Sequence, residues 1–459
     1  MGGSATYEKD IELARRLALL AAERGGTVYY VGGFVRDRLR GVENKDVDIE
    51  VHGLRPAELE AILDGLGNRM AIGESFGVYG LKGSALDIAM PRREECRGRG
   101  HRDFEVFVDP FLGTYRAARR RDFTINALME NVLTGELLDP FGGVRDLEKG
   151  VIRHVSGETF PEDPLRVLRA AQFAARFGFA IAPETVELCA GMSLAGLPKE
   201  RVMGETEKAL LKAEKPSVFF AALRRMGQLS LWFPELEKTI GVEQPPKHHA
   251  EGDVWTHTML VCDEAAALRS RAGDPRALML AAVAHDFGKA VCTERANGEI
   301  HAYGHERAGQ PLVRAFLQRL TAERALTRCV LNLTELHMKP NVLAEAKAPL
   351  KSTNRLFDAA VDPEALICLA VADGRGKIPP CGDGSNEAFL RERLELYREY
   401  MRRPYVAGED LIAAGIKPSK RFSEYLAFAH RLRLAGVEKE SALRQTLAMA
   451  RKQGDLPPE

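Results

Sequence analysis

Residues 31–51 read VGGFVRDRLRGVENKDVDIEV. The run just before it, TVYYV at 27–31, is β-branched and aromatic, which predicts a strand. Gly32-Gly33 turns the chain, and FVRDRLRG is helical up to Gly41. Asp46-Val47-Asp48-Ile49-Glu50-Val51 then alternates strictly, the pattern of a strand with one apolar face. Residues i and i+2 of a strand share a face. Asp46 and Asp48 therefore converge, while Val47, Ile49 and Val51 turn into a core. Adjacent carboxylates repel, and they stay ionised most easily around a divalent cation. Mg²⁺ favours a few carboxylates together with phosphate oxygens. Asp87, in LDIAM at 86–90, is a candidate third catalytic carboxylate. Glycines between a strand and a helix expose backbone N–H groups to an anion, and Arg36, one turn on, suits phosphate. Taken alone, the Asp pair also reads as a solvated strand face, and the Gly pair as a tight turn.

Outward from this stretch the texture divides. A helix is expected over 8–24 and short strands at 78–82, 85–89, 105–108 and 136–139, so the first 150 or so residues are mixed α/β. From 163 to 453 helical periodicity dominates, with loops at 245–253, 377–388 and 400–408. A length of 459 residues suggests two to four domains. Lys+Arg and Asp+Glu are both 65, so the chain is no polycation that coats nucleic acid, and any such contact needs local basic patches. One patch is the segment 92–121, with nine Arg against five Asp/Glu. No apolar run approaches the ~20 residues of a membrane span. The opening MGGSATYEKD lacks the features of a signal peptide. Seven cysteines, at 96, 189, 262, 292, 329, 368 and 381, form no CxxC pair. Reduced thiols and a cytoplasmic location are expected.

The spacing from GG through VRD to DxD resembles the signature of class II template-independent nucleotidyltransferases: tRNA nucleotidyltransferases (CCA-adding enzymes) and bacterial poly(A) polymerases. RRRDFTINA at 119–127, LLDPFGGVRDLEKGVIRHV at 137–155 and PEDPLRVLRAAQFAARFGF at 161–179 extend the resemblance in order. It implies that Asp46 and Asp48 bind the catalytic Mg²⁺ ions. Gly32, Gly33, Arg36 and Arg121 would hold the triphosphate, with Asp122 and Asn126 near the ribose. Asp163, Arg166 and Arg169 would face the base. Cytosine and adenine each present an amino donor beside a ring-nitrogen acceptor, whereas uracil and guanine present the reverse. A carboxylate and a guanidinium at i, i+3 on one helical face therefore favour C and A. Asp163 before Pro164 is also an ordinary helix start.

His257, the pair His285-Asp286 and Asp373 fall on predicted helices or helix ends. A buried adjacent His-Asp pair needs a compensating partner, and a divalent metal is one. The order H…HD…D, with HDFGK at 285–289, resembles the HD phosphohydrolase superfamily. That resemblance implies a divalent transition metal on His257, His285, Asp286 and Asp373, and a possible second on His305 and His337. Position 287 is Phe where Leu is commoner, and His248, His249 and His301 read as bystanders. Lys417, Lys420, Arg421, Arg431 and Arg433 lie on a C-terminal helical unit, in a segment similar to the tails of HD-containing bacterial tRNA nucleotidyltransferases.

The expected fold is an α/β nucleotidyltransferase head (1–150), then an all-α neck and RNA-binding region (151–245), an HD body (246–376) and a helical tail (377–459). The activity the resemblance implies is addition of CCA to tRNA from CTP and ATP, away from any membrane, with hydrolysis of phosphoesters in the body. Alternatives left open are addition of CC or A alone, a poly(A) polymerase, and a phosphohydrolase whose head merely binds RNA.

Overall fold

Val47, Ile49 and Val51 are at most 1% exposed, because the strand they lie on sits at the centre of a sheet. The computed structural model describes residues 2–44, 46–73, 77–96, 104–247, 249–379 and 384–457. Its strands in the N-terminal part are β1 (Thr27–Val31), β2 (Val47–His52), β3 (Arg69–Gly73), β4 (Val78–Leu81), β5 (Leu86–Ala89), β6 (Arg92–Cys96), β7 (Phe104–Val108), β8 (Met129–Asn131) and β9 (Leu137–Leu138). Seven of them form one sheet in the order β3-β4-β5-β2-β1-β8-β9, and β6 pairs with β7 in a separate hairpin. Strand β2 is antiparallel to β1 and parallel to β5, with Asp48 opposite Asp87. Helices Gly2–Ala22 and Pro56–Leu66 lay Ala14, Leu17, Ala18, Leu59 and Leu63 on the apolar face. The first of these helices begins earlier than the sequence pattern predicts.

The chain forms two compact units, Met1–Ala209 with Val218–Leu231 and Leu210–Ser217 with Trp232–Glu459. The first carries the sheet and helix Leu165–Phe177, which ends on Gly178 at φ 69°, a left-handed position that glycine occupies without strain.

The second unit is helical apart from a small hairpin, Glu294–Ala296 with Glu299–His301. Helices Val254–Leu268, Pro275–Ala284 and Pro363–Arg375 pack on one another. Each begins with an Asp side chain, of Asp253, Asp274 or Asp362, accepting from a first-turn N–H. Ala277 to Ala284 is buried on every face, the mark of a central helix.

Helix Ser385–Arg402 falls within the segment that the sequence reading assigns to the tail. It buries Leu390 and Leu394, packs on helices Leu350–Ala359 and Pro363–Arg375, and pairs Arg391 and Arg398 with Glu364. Beyond it, Leu411, Ile416, Tyr425 and Ala450 make a small core of their own. Trp232 and Trp255 are buried, as expected of core residues. Among the described side chains Cys189, Cys262, Cys292, Cys329 and Cys368 are free thiols. No helix among the described residues is long and apolar enough to cross a membrane.

Candidate active sites

Strand β1 ends on Gly32, whose φ of 62° is a region that side chains resist. A Cβ there would stand 3.0 Å from Nη1 of Arg121, and one on Gly33 would stand 3.4 Å from Nη2 of Arg36. The turn is thus bare backbone between two guanidinium groups, a cradle for an anion. Beside it, Asp48 and Asp87 meet across the β2–β5 register, and Asp46 precedes on the same parity. Burial first, then the neighbouring Asp87, pushes the Asp48 carboxyl up to about 6, against the pull of Arg121. A carboxylate crowded in this way gains from a divalent cation. The all-oxygen donor set, open on the Asp46 and Asp87 side, fits Mg²⁺.

Arg121 is aimed by Glu50, whose Oε2 accepts from Nη2 at 3.1 Å, while Oε1 lies 2.8 Å from Nε2 of His52. Burial would raise Glu50, but His52 and Arg121 hold it below its ordinary value. The sequence reading gave Glu50 no role, although the alternation that placed Asp46 and Asp48 puts Glu50 on the same face.

Arg36 is buried. Its Nε and Nη2 reach Asp37 at 2.9 and 2.8 Å, its Nη1 donates to Asn126 Oδ1 at 2.6 Å, and its plane lies over Phe177. Asn126 donates onward to Asp122 at 3.0 Å, and Asp122 accepts from Nε of Arg169 at 2.8 Å. Burial opposes ionisation of Asp122, but Arg169 and Asn126 overcome it and hold its pKa low. The four residues named for phosphate, ribose and base thus form one connected network.

Asp163 does act at a helix start, since Oδ1 accepts from Leu165 N at 3.1 Å, and Oδ2 accepts from Arg201 at 2.8 Å. Arg166 donates to the carbonyls of Thr159 and Arg120, each at 2.6 Å. Asp163 and Arg166 share one turn, the Arg166 N–H donating to the Asp163 carbonyl at 3.0 Å.

In the helical unit all six metal-type residues of the sequence reading come together. His257 lies in the first turn of its helix, His285-Asp286 follows the central helix, and Asp373 lies in the last turn of Pro363–Arg375. His305 opens a short helix, and His337 caps Arg324–Leu336. Nδ1 of His285, His305 and His337 each meets the carbonyl three residues back, at 2.9, 2.9 and 2.7 Å. Every Nε2 therefore turns inward. His257 Nε2 is 3.0 Å from Asp373 Oδ1 and 3.8 Å from Asp286 Oδ2. His305 Nε2 is 3.3 Å from the other oxygen, Asp286 Oδ1, and 3.2 Å from Nε2 of His337.

Two groups result, His257/His285/Asp373 and Asp286/His305/His337, with Asp286 between them. His285 Nε2 and Asp286 Oδ1 are buried without a partner in hydrogen-bonding geometry. Buried imidazole and carboxylate atoms left in this state fit a divalent transition metal. Gly288 of HDFGK permits the approach, because a Cβ there would overlap the His305 carbonyl. Lys289 pairs with Asp286 at 2.7 Å, and Asp373 opens on a cleft of about 410 Å³ that Met338, Val342 and Lys377 also line.

Two residues escaped the sequence reading. Glu251, whose side chain is inaccessible, lies 3.0 Å from Nδ1 of His257 and 2.7 Å from Nδ1 of His249. His249 is therefore part of this cluster and no bystander. The local string HHAEGD offered the signal, a carboxylate just before a histidine-bearing helix. His301 stacks on exposed Tyr303, and His248 lies outside the described residues.

Residues 28–153 match the family described as the poly A polymerase head domain. Residues 178–240 match a probable RNA and SrmB-binding site of polymerase A. A multifunctional CCA protein of Xanthomonas campestris pv. campestris is 36% identical over 432 residues, 91% of this chain and 100% of the relative. Among solved structures, a CCA-adding enzyme in complex with ATP superposes at a TM-score of 0.68 and 24% identity, covering 97% of this chain and 94% of that one. The Thermotoga maritima CCA-adding enzyme complexed with tRNA gives 0.64 at 23% identity, covering 97% and 98%.

Proposed function

This chain belongs to the multifunctional CCA protein family, and we propose that its head adds CCA to the 3′ ends of tRNA from CTP and ATP while its helical body hydrolyses phosphoesters. The observation that carries the first part is the carboxylate set Asp46, Asp48 and Asp87 beside a bare Gly32-Gly33 turn flanked by Arg36 and Arg121. The tRNA hydroxyl attacks the α-phosphate of the nucleotide, and pyrophosphate leaves. Asp46 and Asp48 would hold Mg²⁺, which would supply activation of the hydroxyl and charge neutralisation on the leaving oxygens. The chain's own part is positional. Backbone N–H groups of the turn and the Glu50-braced Arg121 grip the triphosphate. The Arg36–Asn126–Asp122–Arg169 network fixes the floor beneath the ribose. Asp163 and Arg166 offer an acceptor and a donor to the base edge once Arg166 exchanges its carbonyl partners for it. The work is expected in the cytoplasm.

In the body, His257, His285, Asp286 and Asp373 would hold one divalent transition metal. Asp286, His305 and His337 form a second group that would hold another. Metal held there would supply Lewis-acid activation of a phosphoryl group and of water. Lys289 and Lys377 flank the carboxylates, and their charges suit a phosphate of a 2′,3′-cyclic phosphate or a phosphomonoester. Asp48→Asn should abolish nucleotide addition and leave hydrolysis of a 2′,3′-cyclic nucleotide intact. Asp286→Asn should do the reverse. Loss of both activities in either single variant would contradict two separate sites.

A further inference from the structure

Three of the four inward-facing histidines of the helical unit are anchored alike, each by its own backbone three residues back. His257 is the exception. Its Nδ1 faces a side chain, Glu251 Oε1, at 3.0 Å, close enough for an ion pair but outside hydrogen-bonding geometry, and that carboxylate comes from the loop before the helix. Nothing else about Glu251 resembles a surface glutamate. Its side chain is wholly inaccessible, and both oxygens are committed. Oε1 also takes Nδ1 of His249 at 2.7 Å, and Oε2 accepts from the backbone N–H of Ile378 at 3.0 Å. The Ile378 carbonyl in turn accepts from Ala250 N at 3.2 Å. The carboxylate is thus pinned between two chain segments, the one that leads into the His257 helix and the one that leaves the Asp373 helix.

A buried carboxylate pinned in this way sets a ring's tautomer and direction. A proton held on Nδ1, on the Glu251 side, would free Nε2 for a cation beside Asp373 and Asp286, in place of the hydrogen bond that Nε2 makes to Asp373 Oδ1 at 3.0 Å. We propose that Glu251 is a positioning residue of this centre, which orients His257 for a divalent metal while tying it to the segment at Ile378. The proposal rests on the metal-centre reading above. The role is distinct from ligation, since Glu251 Oε1 lies with His249 on the Nδ1 side of His257, away from Nε2.

The test uses the full chain and Co²⁺ alone, whose visible absorption reports its ligands. Affinity is read by competition with a chelator, on wild type, Glu251→Ala, Glu251→Gln and Asp286→Ala. Nucleotide addition by the head and the far-ultraviolet circular dichroism serve as fold controls. Glu251→Ala should bind Co²⁺ about 10–100-fold more weakly, the usual effect of removing such a partner. Glu251→Gln keeps one acceptor oxygen and should recover part of the loss. It also carries the test if the alanine variant fails to fold. At saturation each Glu251 variant should give the wild-type spectrum, because the ligands are unchanged. Unaltered affinity in the folded variants would overturn the role, and so would a changed spectrum, which would make Glu251 a ligand. Wild type with no Co²⁺ signal sensitive to Asp286→Ala would bring down the metal centre itself, a result separate from either.

Discussion

Asp48 is a single side chain whose charge works against the fold. Its pKa stands above the ordinary value, so its ionised form at neutral pH opposes folding until a cation joins it. The shift corresponds to about 1–2 kcal/mol after allowance for its partial exposure. Asp48→Asn should therefore raise the melting temperature of the metal-free head by about 2–5 °C, while addition falls at least about a hundredfold. Calorimetry with and without Mg²⁺ checks this, and Mg²⁺ should stabilise wild type only. Asp122 and Glu50 are the opposite case. Their pKa values are held low by Arg169, Asn126, His52 and Arg121. Their contribution is full above the ordinary carboxylate range, near about 4, and is lost as the pH falls through the depressed values. Asp122→Asn should be less stable than wild type at pH 7 and should show a flatter loss of stability through acid. Denaturant titrations between pH 7 and pH 3 would measure it.

At the scale of elements, one strand parity and one short motif make most of both candidate sites legible. Alternation in 46–51 fixed which side chains of β2 turn to the core, and HDFGK marked the end of the central helix. What escaped was set by neighbours distant in sequence. Glu50 acquires its meaning from Arg121, 71 residues away. Helix Ser385–Arg402 reads as the start of a tail, because its sequence does not reveal that Glu364 and helix Leu350–Ala359 lie against it. Arg36 reads as a phosphate contact, and its commitment to Asp37 and Asn126 appears only once the helix is placed. The Gly288 approach yields a prediction at this scale. Gly288→Ala must push the His305 segment away from Asp286, at about 1–3 kcal/mol of stability. Metal analysis of the purified protein should find about one ion per chain fewer than in wild type, with nucleotide addition unchanged.

For the whole molecule, each of the two units has its own carboxylate-bearing cluster. Chelation followed by return of Mg²⁺ alone should restore nucleotide addition and leave phosphoester hydrolysis low, because the His-rich site favours a softer ion than the all-oxygen one. A return of full hydrolysis with Mg²⁺ would show that the second site does not select as its ligands imply. Nucleotide addition by the head is read from the mass of its product. A tRNA transcript ending at the position before CCA would be incubated with all four nucleotides, Mg²⁺ and the protein, and the product weighed by mass spectrometry. CCA addition by the head requires growth by two C and one A, and then arrest. A ladder of A residues, growth by C or A alone, or incorporation of U or G would contradict it.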